Sequence, residues 1–415
     1  MKQPFHDALA RRDLPPALPR LPRGCPIVCL SHLRWSFVYQ RPQHLMERFA
    51  RDNPVFFVEE PIPDEVGPVR VDLHRIARNL TVVVPRLPAD ECGAGHRGGE
   101  KKIQTLLVQL LAEHPAPDAL GPIVWLYTPM AFGQARDLDA RLVVYDCMDQ
   151  LANFLYAPKT LRAREQALMS RADLVFTGGF SLFDSRRKLH PRTYLFPSSV
   201  DTAHFGRAYT ASEDPADMRG LPGPRIGFFG VVDERFDLDL LRDAALARPA
   251  WQWVVVGPVI KIDERALPRL PNVHYLGAKT YDALPSYLGR WDVAMMPFAL
   301  NASTKFISPT KTPEDLAGGC PVVSTPVTDV VRAYGECEAG HNALGPLEFV
   351  AHNERALERP ARGRTVRAAA ERALDGLSWD ITQASMAELM HRRMQTRSPV
   401  VGIRAAAEAP SRTAA

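Results

Sequence analysis

The stretch TKTPEDLAGGCPVVST, residues 310–325, decides the fold. Thr312 is a capping residue type, Pro313 suits a first helical position, and Asp315 stands three residues after that cap. Gly318-Gly319 ends the helix after barely two turns, and an apolar run, Pro321-Val322-Val323-Ser324, follows at once. Short helices that feed wholly apolar strands build parallel sheets buried on both faces. The helix macrodipole favours acidic residues in a first turn, which accounts for Asp315. Glu314 and Lys311 are less fully explained by it. A carboxylate at a helix start beside a strand tip is placed to accept hydrogen bonds from a pair of ribose hydroxyls. A lysine just before the helix suits a diphosphate.

The same pattern extends in both directions. Upstream lie RIGFFG, WQWVVVG, VHYLG and DVAMMPF, from 225 to 298. Before a break come PIVCL, PVFFVEE, LTVVV, PIVWLY, RLVVYD, DLVFTG and TYLFP, from 26 to 197. Stretches of helical period, such as RPQHLMERFA and EKKIQTLLVQLLAEH, lie between several of them. The break is GRAYTASEDPADMRGLPG, 206–223, polar and rich in Gly and Pro. The reading is an α/β protein of two Rossmann-like domains whose parallel sheets face a central cleft. The expected boundaries are a disordered basic lead over 1–24, a first domain over 25–205, a linker over 206–223 and a second domain over 224–376. A last helix over 377–395 and a disordered tail over 396–415 complete the chain.

Composition narrows the function. A chain of 415 residues suits two such domains, and 46% apolar with 24% charged residues is ordinary for a folded protein. A net charge of +4, spread along the chain, does not argue for nucleic acid. Six cysteines form no CxxC pair, which suggests reduced thiols in a cytoplasmic protein. No run approaches the roughly 18 apolar residues of a membrane span. A GxGxxG fingerprint and a GxxxxGK[ST] loop are both missing, so neither a dehydrogenase nor a P-loop enzyme is expected. No cofactor is expected.

The segment ExLAxGxPVVS, here from Glu314 to Ser324, resembles the second domain of GT-B glycosyltransferases of family 4. The longer PTKTPEDLAGG, Pro309 to Gly319, is similar to the teichuronic-acid-type bacterial surface-polysaccharide glycosyltransferases. SHLRW…QRPQHL in the first half, LFPSSVDTAHF at 195–205 and LSWDITQASMAELM at 377–390 extend the resemblance over about 25–393. The resemblance implies a nucleotide diphosphate sugar donor, UDP-linked as first candidate, and a saccharide or lipid-linked saccharide acceptor. The thiols and the lack of a membrane-length run lead to the expectation of a cytoplasmic protein, with peripheral contact to the inner membrane face left open. Glu314 then holds the ribose and Lys311 the diphosphate. The family often carries another glutamate eight residues earlier, where this chain has Phe306.

Other candidates come from strand tips. A strand, then Gly230, then a helix after Arg235 lets backbone N–H groups face a phosphate, and Arg235 is the assisting cation. In the first half Trp35 and Tyr39 offer aromatic faces to an acceptor sugar, with Arg41 beside them. His32 is a candidate base or phosphate ligand, and His44 is a further candidate. Asp146 ends a buried strand and is the first choice to receive an acceptor proton, with Asp149 second. Two DxD triplets, Asp137-Leu138-Asp139 and Asp237-Leu238-Asp239, fall in stretches read as helix and are rejected as metal sites, so no metal is expected. Two rival functions remain: a nucleotide-sugar epimerase of the same fold, and a degenerate transferase acting as an assembly partner.

Overall fold

The structure, a computed structural model, describes residues 21–64, 67–93, 95–116, 118 and 120–396. Residues 1–20 of the expected lead, and the tail from 397, lie outside the described residues.

The first sheet is built from β1 (Ile27–Leu30), β2 (Val55–Val58), β3 (Ile62–Pro63), β4 (Arg70–Ala77), β5 (Leu80–Leu87), β6 (Ile123–Leu126), β7 (Leu142–Cys147), β8 (Leu174–Thr177) and β9 (Thr193–Leu195). Its order is β3-β5-β2-β1-β6-β7-β8-β9, with β4 on the outer part of β5. Strands β1, β2, β6, β7 and β8 are buried at every position, as their unbroken apolar runs require. The expectation of a parallel sheet needs one correction. β4 pairs antiparallel with β5, and its mostly exposed residues give no apolar run.

The second sheet holds β10 (Arg225–Phe229), β11 (Gln252–Val256), β12 (Val273–Tyr275), β13 (Val293–Met296), β14 (Val322–Ser324) and β15 (Gly340–Asn342). Its order is β12-β11-β10-β13-β14-β15, all parallel. In both sheets the strand order reverses at the first strand, β1 or β10. Open α/β sheets bind ligands at such switch points, beyond the carboxyl ends of the strands.

Helices cover these sheets, and five of them position the site. They are α1 (Arg41–Phe49), α2 (Phe180–Arg186), α3 (Lys311–Ala317), α4 (Thr328–Tyr334) and α5 (Trp379–Thr396). Helix α5 leaves the second half and buries Trp379, Met386 and Met390 in the core of the first sheet. Trp379 stacks on His44 of α1 with centroids 4.6 Å apart. The stretch expected to be a linker is packed: Ala208 and Met218 join Val200 and Phe205 in the core of the second sheet.

Helix α2 has no side-chain cap of its own, because Gly179 precedes it. Asp329 of α4, from the other half of the molecule, takes that role. Its carboxylate accepts from the Ser181 amide at 3.1 Å and from the Ser181 hydroxyl at 2.5 Å. A side chain at Gly179 would collide with Asp329. Arg332, one turn along α4, pairs with Asp184 at 2.8 Å.

Candidate functional site

The tips of β1, β7, β10 and β11 enclose a cleft of about 1170 Å³, open mouth included. The first half contributes His32, Phe37, Tyr39 and Asp149; the second contributes Arg235, Lys261 and Lys311.

Three cations converge from the second half. Lys311 opens α3, and burial holds its pKa below the ordinary lysine value. Gly230 follows β10 with φ +145°, a conformation that favours glycine. A Cβ there would sit 2.5 Å from Lys311 Cε, so the lysine stem lies directly on this backbone. Gly257, at the tip of β11, is pressed against the Gly230 carbonyl. Gly230→Ala is therefore expected to lose about 1–3 kcal/mol of stability through strain. It should also displace Lys311, and calorimetric titration with nucleoside diphosphate should show weaker binding. An alanine variant that binds as well as the parent would contradict that packing.

Arg235 is gripped by Asp233, through Nε at 2.9 Å and Nη2 at 2.6 Å. Its guanidinium lies over the ring of Phe154, 5.2 Å from the centroid. Lys261 stands on the same ring, its Nζ 5.5 Å away. Neither Phe154 nor Lys261 is marked by the sequence pattern. In the structure, left-handed backbone marks both sides of the contact, with Lys261 at φ +62° and Tyr156 at φ +63°.

Opposite these cations stands Asp149. Burial raises its pKa to about 6, while Arg235, Lys311 and Arg41 pull the other way and Asp233 adds to the rise. His32 lies nearby, with an imidazole whose pKa burial and Lys261 depress to about 4. It is a neutral ring near pH 7, and its Nδ1 makes no hydrogen bond.

The sequence expectations are redistributed by this geometry. Gly230, Arg235, Lys311, His32 and Asp149 share the cleft or its wall. Asp146 does not reach it. It is fully buried, and both of its oxygens are taken by Arg41, Nη2 at 2.8 Å and Nε at 3.0 Å from one or the other. Arg41 also donates to the Phe196 carbonyl at 2.8 Å, so its guanidinium is committed to the framework. Trp35 is not among the residues that line the cleft; its partly buried ring packs edge-on against Phe57 at 5.0 Å. Tyr39 borders the cleft, but its face is covered by Tyr281 at 4.4 Å, and its hydroxyl donates to Glu47. Phe37, 42% exposed, is the open ring of this loop. His44 is buried in the stack with Trp379, and its ring nitrogens make no hydrogen bond.

Helix α3 begins at Lys311, with Thr310 and not Thr312 at the cap position. Asp315 therefore does not stand three residues after the cap. It is 2% exposed, and its Oδ1 has no hydrogen-bond partner. Glu314 is 4% exposed and stands one turn behind Thr310, whose hydroxyl bonds it. Burial lifts its pKa to about 7 against the pull of Lys311. The DxD triplets need a smaller correction. Asp137 and Asp139 lie in a turn beyond a short helix, and Asp237 caps the helix Leu238–Ala247 by accepting from the Leu240 amide at 2.8 Å.

Residues 223–357 match the family model for glycosyl transferases group 1. The putative teichuronic acid biosynthesis glycosyltransferase TuaH of Bacillus subtilis is 28% identical over 236 residues. The match takes in 52% of this chain and 58% of that relative, less than two thirds of its length. Among solved structures, sucrose-phosphate synthase from Thermosynechococcus elongatus superposes with a TM-score of 0.68 at 15% identity, over 90% of this chain and 100% of that one. HepE of Anabaena, solved with UDP and glucose, gives 0.62 at 14% identity, over 88% and 99%. At these identities the likeness shows the fold, and the fold is GT-B.

Proposed function

We propose that this protein transfers a glycosyl group from a nucleoside diphosphate sugar, UDP-linked in the first instance, to a hydroxyl of a saccharide or lipid-linked saccharide in bacterial surface polysaccharide or glycolipid synthesis. The observation that carries this reading is the cleft itself. Lys311, Arg235 and Lys261 converge beside Gly230 at the switch point of the second sheet, and a carboxylate, Asp149, faces them from the first. The family match over 223–357 and the UDP and glucose held by a protein of the same fold support it.

In this reading the bond between the anomeric carbon and the diphosphate oxygen breaks, and its electrons leave with the diphosphate. Lys311, Arg235 and Lys261 stabilise the charge that develops there, as preorganised cations in a partly dry site. These groups supply that charge without a metal, and we propose metal-independent transfer. The acceptor oxygen bonds to the anomeric carbon and gives its proton to Asp149. A ribose hydroxyl replaces Thr310 as the partner of Glu314. The protein works in the cytoplasm in this reading, with peripheral contact to the inner membrane face. No helix among the described residues is long and apolar enough to cross a membrane.

A thermal-shift series with UDP, GDP, dTDP and their sugars, with and without magnesium, tests the donor. A rise with one nucleoside diphosphate, unchanged by magnesium, is expected; no rise with any of them would sink the reading. Glu314→Gln then isolates the ribose contact. Glu314 is close to half protonated near pH 7, and glutamine copies its neutral form, so folding should change by less than about 1 kcal/mol. Affinity for the nucleoside diphosphate should fall about tenfold, the worth of hydrogen bonds to a charged group. Equal affinity in the folded variant would remove Glu314 from the site.

A further inference from the structure

The loop that carries Asp149 does more than present a carboxylate. From Asn153 to Leu155 it is fastened to the opposite half of the molecule. Asn153 donates to the Ala302 carbonyl at 3.0 Å, and the Leu155 amide donates to Glu234 at 3.2 Å. Between these two bonds the Phe154 ring lies against Arg235 and Lys261 together, with the cations 5.2 Å and 5.5 Å from its centroid. All three side chains line the cleft. Two like charges at one site repel, so something must hold them together before a ligand arrives. Asp233 offsets Arg235, and no carboxylate pairs with Lys261 among the described residues. An aromatic face attracts both cations through its quadrupole without neutralising either. Lys261 reaches the ring from a left-handed backbone, φ +62°, and Tyr156, two residues beyond the ring, has φ +63°. Strain on both sides of one contact is what a packed, over-determined arrangement sustains.

We propose that Phe154 is a positioning residue that holds Arg235 and Lys261 as a paired cationic clip for the donor diphosphate, and so ties the donor site to the loop bearing Asp149. This rests on the donor reading above and deepens it. The clip exists only while the first-half loop lies on the second half. A diphosphate therefore meets its full set of cations only in the closed cleft, with Asp149 already opposite.

The test is calorimetric titration with UDP, GDP, dTDP and their monophosphates, on the parent, Phe154→Leu and Phe154→Trp, with thermal unfolding as the check on folding. For the diphosphate that the parent binds, Phe154→Leu is expected to weaken affinity about five- to tenfold, and Phe154→Trp to keep it. Binding of the matching monophosphate should change less than twofold. Lys261→Gln, at an exposed position, should weaken diphosphate binding to a similar degree without touching the core. Undiminished diphosphate affinity in both Phe154→Leu and Lys261→Gln overturns the clip and leaves the donor reading standing. Equal loss of mono- and diphosphate in Phe154→Leu also overturns it. A parent that binds no nucleoside diphosphate overturns both.

Discussion

Asp149→Asn is expected to lower turnover by about 10²–10⁴-fold, the usual worth of a positioned general base. Asp146, the other carboxylate at this strand end, has both oxygens on Arg41 and is closed to the cleft. Asp149 lines the cleft and faces Arg235 and Lys311. Its pKa of about 6 sits close to a neutral working pH, where a base is both ionised and able to take a proton. The base form is lost as pH falls through that value. If the proposed transfer holds, the parent's kcat/KM should therefore drop tenfold per unit below about pH 6. The asparagine variant should lack that limb. Its affinity for nucleoside diphosphate should hold or rise, because the removed charge competed for the same cations. A variant within tenfold of parent turnover would return Asp149 to a binding role.

The second large effect is on stability. Asp146→Ala is expected to destabilise the protein by about 3–5 kcal/mol, because it strands the buried Arg41 guanidinium without its counter-ion. The pair joins the end of β7 to the start of α1, and through the Phe196 carbonyl to the end of β9. The two charges are 3% and 0% exposed, so water cannot substitute for the lost partner. Arg41→Met with Asp146→Leu together should recover most of the loss, since a well-packed apolar pair avoids the desolvation of both ions. Chemical denaturation of the single and double variants measures this. Asp146→Ala with parent stability and greatly reduced turnover would instead make Asp146 a member of the reaction.

Much of the fold could be read from the chain because buried parallel strands are continuous apolar runs. PIVWLY and RIGFFG admit no other comfortable environment. β4 was missed for the opposite reason: a solvated strand has no inner face to pattern. At α3 the proline misled. Pro313 stands third in the helix, and any first-turn position tolerates a missing N–H, so proline marks the turn and not its first residue. With Thr310 at the cap, Asp315 no longer stands three residues after it, and its carboxylate is buried instead. The residues proposed for the donor, Gly230, Lys311 and Glu314, could be singled out in the chain because they sit in local strand–turn–helix grammar. The acceptor side was not, because its roles are set by long-range contacts. Whether Trp35 meets sugar or Phe57, and whether Asp146 meets an acceptor or Arg41, depends on partners far away in the chain. The same holds for Phe154 and Lys261, which come together only across the cleft.

Helix α2 borrows its cap from the opposite half of the molecule. A helix end that lacks its cap frays, and the frayed turn exposes amide protons to solvent. The Ser181 amide is covered only while Asp329 rests against it. Each time the halves part, that amide can trade its proton for deuterium. Its exchange rate under native conditions is a count of cleft openings, kept by one residue, and ligands that hold the halves together slow it in proportion to the time they keep the cleft shut.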